Sequence, residues 1–285
     1  MSLATNSETR TEADRPGPAA VSPPPSARAG VPRSMLGALG LALFFGIWEL
    51  LPRIGVVAER HLPPATEVAL TLAERAVHSD FWVAVGQTVL AAGLGLAIAC
   101  GAAVTLGFTL GSLPRVRAYT TSTVEFLRPI PSVALIPLAI LLYGTDLGSP
   151  LLLVVYAAFW QIYIQVLYGV ADIDPVAEQT ARSYQLGRLS RFRHVTWPAA
   201  LPYVLTGVRL GAAVALILAV TAQLVIGSPG LGQEIARAQQ GGAVELTYAL
   251  IVATGVLGVC INVGVRSLER RALHWHTSVR GEAPV

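Results

Sequence analysis

Gln161 and Gln165 stand four residues apart in a stretch, Leu147 to Ala171, that carries no charge. That spacing puts both amides on one face of a helix. Gln223 and Asn262 lie in two further apolar stretches, and Arg209 follows Pro198 by about 11 residues, roughly 16 Å along a helix. Amides and a guanidinium in apolar runs form hydrogen bonds and ion pairs. Two uses are open to them: contacting a solute that passes through, or joining neighbouring helices. Arg209 can face a wet cavity or an acidic partner. Bond-making chemistry has no comparable residues. No Asp pair lies inside the apolar runs, there is no GxSxG nucleophile motif, and the phosphate-cradling GxxxxGK[ST] is impossible in a chain without Lys. Cys100 and Cys260 both sit in apolar runs and read as small buried side chains, and no metal site is legible.

The elements that must position these groups follow from composition. Of 285 residues, 53% are hydrophobic and 13% charged, about half the charged share of a soluble domain, with a mean hydropathy of +0.59. This describes an all-α integral membrane protein. All 20 basic residues are Arg, the net charge is only +3, and no dense basic block accompanies aromatics, so nucleic-acid binding is disfavoured. Long uncharged runs predict six transmembrane helices: 36–52, 81–114, a third kinked at Pro129, Pro131 and Pro137 that starts within 116–127, then 147–171, 210–233 and 246–265. Residues 65–78 alternate Val68, Leu72 and Val77 with Glu67, Glu74 and Arg75, as an amphipathic interfacial helix does. Residues 1–34, rich in Pro, Ser, Ala and Arg, read as a disordered tail. Residues 35–276 read as the membrane domain and 277–285 as a short C-terminal tail. With the N-terminus inside, inner segments hold 15 Arg and outer loops only Arg53, Arg60, Arg75 and Arg237, which places both termini in the cytoplasm. Glu125 and Arg128 are spaced for an i, i+3 pair, and Glu49 for pairing or snorkelling.

The inner loop over residues 174–198 is the most structured polar segment. Asp174 is an N-cap with Pro175 at the first helical position, Glu178 and Arg182 form an i, i+4 pair, and Gly187 is the expected helix stop. A second short basic helix then runs from Ser190 to Thr196 before a turn at Pro198. Pattern alone also admits a plain solvated loop obeying the positive-inside bias.

Ala181-Arg182-Ser183-Tyr184 followed by Phe192-Arg193-His194-Val195-Thr196-Trp197-Pro198-Ala199-Ala200-Leu201-Pro202 resembles the EAA coupling loop of binding-protein-dependent ABC importer permeases. The stretch from Arg128-Pro129-Ile130-Pro131 to Ile140, and Leu268-Glu269-Arg270-Arg271-Ala272-Leu273-His274-Trp275-His276, are similar to the branch that imports nitrate, sulfonates and taurine. The resemblance spans roughly residues 36–276. It departs in the loop: Gln179-Thr180-Ala181 stand where the family has Glu-Ala-Ala, and Gln185 where it has glycine.

The resemblance implies a type I ABC permease architecture and the transmembrane subunit of an ATP-driven importer for a small anionic solute. Glu178, Gln179, Thr180, Ala181, Arg182, Gln185 and Gly187 would then couple to the ATPase, and Gln161, Gln165, Arg209 and Gln223 would border the translocation path. It implies no cofactor of its own, since ATP is bound by a cytoplasmic ABC ATPase dimer. The other implied partners are an extracytoplasmic solute-binding protein, a second permease subunit forming a homodimer, and membrane lipid, with the chain multi-pass in the cell membrane. Rival readings are a permease for another solute, such as a vitamin precursor, and a stand-alone channel, which would not need the loop.

Overall fold

The computed structural model describes residues 33–274, and every regular element among them is helical. In chain order these are α1 (Arg33–Arg53), α2 (Ala65–Val77), α3 (Ser79–Gly111), α4 (Pro114–Leu127), a 3-10 turn (Ser132–Leu135), α5 (Ile136–Tyr143), α6 (Gly148–Ala171), α7 (Pro175–Ser183), α8 (Arg188–Arg191), a π-turn (Phe192–Thr196), α9 (Trp197–Ile226), α10 (Leu231–Gln240) and α11 (Val244–Ala272). The expected tails lie outside the described residues, except that Arg33 and Ser34 already belong to α1.

Five helices are long and apolar enough to cross a membrane: Met35–Arg53, Ser79–Gly111, Gly148–Ala171, Arg188–Ile226 and Val244–Ala272. The expected third span is not one kinked helix. Pro129 and Pro131 have no N–H to donate, so the hydrogen-bond ladder cannot continue past Arg128, which is itself still helical in backbone, and α4 stops at Leu127. The chain resumes only in the 3-10 turn and in α5, and the apolar stretch Ser132–Tyr143 is too short to span alone. The fifth helix begins at Trp197, not Leu210, and the sixth runs on to Ala272, past Val265. Charges end an apolar run without ending the helix that carries it, so hydropathy marks the hydrocarbon better than it marks helix ends.

The chain divides into two compact units, the first ending at Ile47 and the second beginning at Trp48. In the first, Leu36, Leu39 and Leu43 stand exposed on α1, and Phe44 and Phe45 meet edge-on at 5.4 Å. The second unit is built around α3, α6 and α9, whose shared core is largely alanine: Ala91, Ala99 and Ala103 on α3, Ala158 on α6, and Ala200, Ala215, Ala219 and Ala222 on α9. Lipid tails are as apolar as leucine, so helices in a bilayer gain by close packing, which small residues permit. Two positions show how close. A Cβ on Gly95 would lie 2.5 Å from Val154 Cγ1, and one on Gly107 2.6 Å from Val166 Cγ1, so α6 valines seat directly on the α3 backbone.

A second layer joins α2, α10 and α11 to the near end of α3. Phe81 and Ala84 bury against Leu231, Ile235 and Leu250. Arg75 on α2, the amphipathic helix expected there, bridges Asp80 at 3.1 Å and Glu234 at 3.5 Å. Glu49 accepts from Arg53 at 2.6 Å and from the Thr66 N–H at 3.0 Å, the paired role expected of it. Ser149, fully buried, donates to a carbonyl of the α5 end, Gly144 O at 2.6 Å or Ala139 O at 3.0 Å.

Candidate functional site

The loop between α6 and α9 is built as a capped unit. Asp174 Oδ1 accepts the Val176 N–H at 2.8 Å, Pro175 fills the first helical position, and Arg182 donates to Glu178 at 2.5 Å. The helix does not stop at Gly187. The N–H of Gln185 bonds to Arg182 O at 2.9 Å and that of Leu186 to Ala181 O at 3.0 Å, the paired bonds of a Schellman cap. Such a cap needs a left-handed residue between its two bonds, and Gln185 takes that role at φ +53°, the one non-glycine with positive φ among the described residues. Gly187, at φ −59°, instead caps the start of α8. The position where the resembled loop has glycine is thus left-handed here with a glutamine in it.

Ala181 is the buried residue of α7, 5% exposed, on a helix that lies against the π-turn. Its small side chain serves packing within the loop, not an opening for another molecule. Glu178, Gln179, Thr180 and Arg182 remain exposed beside it. The loop also holds out apolar groups: Val176, Tyr184 and Leu189 are 67%, 78% and 80% exposed.

No turn occurs at Pro198. From Arg188 to Ile226 the helix is continuous for 39 residues. The π-turn absorbs one extra residue, with the Trp197 N–H reaching Phe192 O, and Pro198 sits in the first turn of α9 where its missing N–H is harmless. Phe108 near the end of α3 contacts Phe192 at 5.2 Å and Trp197 at 5.6 Å between ring centroids. Tyr203 donates to Asp172 at 2.5 Å, tying α9 to the end of α6. Loop and bundle thus share an aromatic joint that no local sequence pattern announces.

The polar groups of the helices separate into three environments. Gln161 and Gln165 do share one face, and they line a cleft of about 360 Å³ with Arg128, Ser132, Tyr156 and Trp160. The four-residue spacing extended back from Gln161 leads to Ala157, which also lines the cleft, and Tyr156 and Trp160 form a second i, i+4 row beside it; Arg128 and Ser132 reach the cleft only through the break after α4. Arg209 meets an acidic group, Glu269 at 3.9 Å, one of the two alternatives open to it, and with Asn262 lines a separate cleft of about 570 Å³ between α9 and α11. Gln223 lines neither cleft. It is fully buried, and its Oε1 accepts from Thr88 Oγ1 at 2.8 Å and from the Gly232 N–H at 3.3 Å. In this conformation it joins α3, α9 and α10. Glu125 and Arg128 form no ion pair, although their spacing allows one.

A family model described as binding-protein-dependent transport system inner membrane component matches residues 70–274. A Bacillus subtilis protein named as an aliphatic sulfonates transport permease protein is 31% identical over 247 residues, 87% of this chain and 90% of that one. The taurine transport system permease protein of Escherichia coli is 28% identical over 84% of this chain and 89% of its own. The nitrate import permease protein of Leptolyngbya laminosa is 24% identical over 85% and 88%. Among solved structures, an inward-facing methionine ABC transporter, MetNI, superposes with a TM-score of 0.59 over 67% of this chain and 95% of that one; at 17% identity it bears on the fold alone. Helices and matched span converge: this chain is a multi-pass membrane protein of the binding-protein-dependent ABC importer permease family, with the type I permease fold.

Proposed function

We propose that this chain is the membrane half of an ATP-driven importer for a small oxyanion-bearing solute of the sulfonate, taurine or nitrate kind. A binding protein delivers the solute outside, and a separate ATPase dimer drives a pair of permease chains from the cytoplasm, where both termini lie. The carrying observation is the capped loop whose α8 continues unbroken into α9. A solvated loop has no need of a helical connection to a membrane span, whereas a coupling element does. The substrate class rests on the three relatives named above and on the Arg asymmetry for orientation.

Glu178, Gln179, Thr180 and Arg182 supply polar contacts to the ATPase on this reading, while Gln185 and Gly187 shape the loop. Tyr184 and Leu189, large apolar groups held in water, supply the buried anchors. Ala181→Trp would disrupt the loop from within, so it does not test docking. A Tyr184→Ala, Leu189→Ala double variant does. Co-purification of the ATPase should fall at least about tenfold with membrane insertion intact, and solute-stimulated ATP hydrolysis should fall with it. Unaltered association and stimulation would place the docking surface elsewhere.

A further inference from the structure

The 360 Å³ cleft beside Gln161 and Gln165 has a chemistry of its own. It is bounded by the broken segment after α4, one face of α6, and Val214 of α9. Non-helical backbone at membrane depth is tolerated where it is buried in protein or lines a wet cavity. Here part of that backbone is bonded, with Tyr156 Oη donating to Leu127 O at 2.5 Å. The groups left over are donors. Arg128 is exposed and has no ion-pair partner among the described residues. The Trp160 indole Nε1 is buried with no hydrogen-bond partner. Gln161 and Gln165 add amides, and no carboxylate lines this cleft, although Glu125 lines the neighbouring one that Arg128 also borders.

A buried N–H without an acceptor is destabilising, so the indole wants an acceptor at this point. A guanidinium with amide and indole donors around it, and no competing anion, fits the flat or tetrahedral oxygens of an oxyanion. Ile164 and Val214 close the same cleft with apolar surface, which suits a short alkyl chain behind the charged head.

Resting on the importer reading above, the geometry points to this cleft as an oxyanion subsite on the solute's route, with Arg128 and the Trp160 N–H as its principal donors. The ligand class is a small alkanesulfonate or nitrate.

The test uses the full-length chain in nanodiscs without its binding protein, with radiolabelled ethanesulfonate in equilibrium dialysis. Binding should be saturable and displaced by nitrate. Arg128→Gln should raise Kd at least about tenfold, and Trp160→Phe, which keeps a ring and removes the N–H, should weaken binding several-fold. In the reconstituted importer both variants should lower the maximal uptake rate and leave half-saturation, governed by the binding protein, near wild type. Should Arg128→Gln fail to assemble, Trp160→Phe and Gln161→Leu decide on their own. Displacement by chloride as readily as by nitrate would reduce the site to a plain exposed cation and overturn it. Wild-type uptake of ethanesulfonate with unchanged binding in these variants would overturn the subsite and leave the importer standing. Failure of wild-type transporter to take up ethanesulfonate, taurine or nitrate would overturn the importer's substrate class, and the subsite with it.

Discussion

The N–H of Leu186 meets the carbonyl of Ala181 at 3.0 Å, closing α7 around a left-handed Gln185. The left-handed conformation costs a residue with a Cβ roughly 1–2 kcal/mol relative to what glycine bears there. Gln185→Gly should therefore slow hydrogen exchange at the Leu186 amide by about fivefold, roughly 1 kcal/mol, in native-state exchange of the purified chain. Gln185→Val, with a branched Cβ, should accelerate it. Equal protection in all three would mean the turn stores no such strain.

Thr88 and Gln223 hold three helices at one buried point. The Thr88 hydroxyl accepts the Leu231 N–H at 2.9 Å while donating to Gln223 Oε1 or, at 3.1 Å, to its own helix at Ala84 O. Thr88→Val keeps the shape and strands the Leu231 N–H, a loss of about 1–3 kcal/mol. The unfolding midpoint in detergent should drop, and Thr88→Ser should recover most of it. A Thr88→Val midpoint equal to wild type would remove the network from the stability of the bundle.

Gly107 and Gly86 lie on the same helix with opposite surroundings. A Cβ at Gly107 meets Val166, whereas one at Gly86 meets nothing within 4 Å. Gly107→Ala should destabilise by about 1–3 kcal/mol through overpacking, and Gly86→Ala should be neutral or stabilising by up to about 1 kcal/mol. Pairing Gly107→Ala with Val166→Ala should restore part of the loss. Thermal unfolding of the three variants checks all of this together.

What could be read in advance follows from which signals are local. The spans at Phe81–Pro114 and Leu147–Ala171 were legible because charge and hydropathy are properties of a window. The Asp174-Pro175 cap was legible because a cap is made by adjacent residues. The end of α7 was not: left-handed backbone is associated with glycine, and here two hydrogen bonds hold Gln185 in it while Gly187 stays ordinary. Likewise Gln161 and Gln223 are the same residue in the same kind of helix. One lines a cleft and the other is buried because Thr88, 135 positions away, faces only the second. That pairing belongs to the packing of α3 on α9, which no stretch of sequence contains. The Arg128 position was equally hidden, since its side chain meets α6 only where two prolines interrupt the helix.

The 39-residue helix from Arg188 to Ile226 has a consequence in simple mechanics. At 1.5 Å per residue it is a rod of roughly 58 Å. It is pinned near one end by Phe108 against Phe192 and Trp197 and by Tyr203 against Asp172. A rod pivoting there through about 5° swings its far tip by about 4 Å while the short arm beyond the pivot moves by less than about 1 Å. A small displacement at the α7 end of the rod is in this way magnified several-fold at its other end, next to α10.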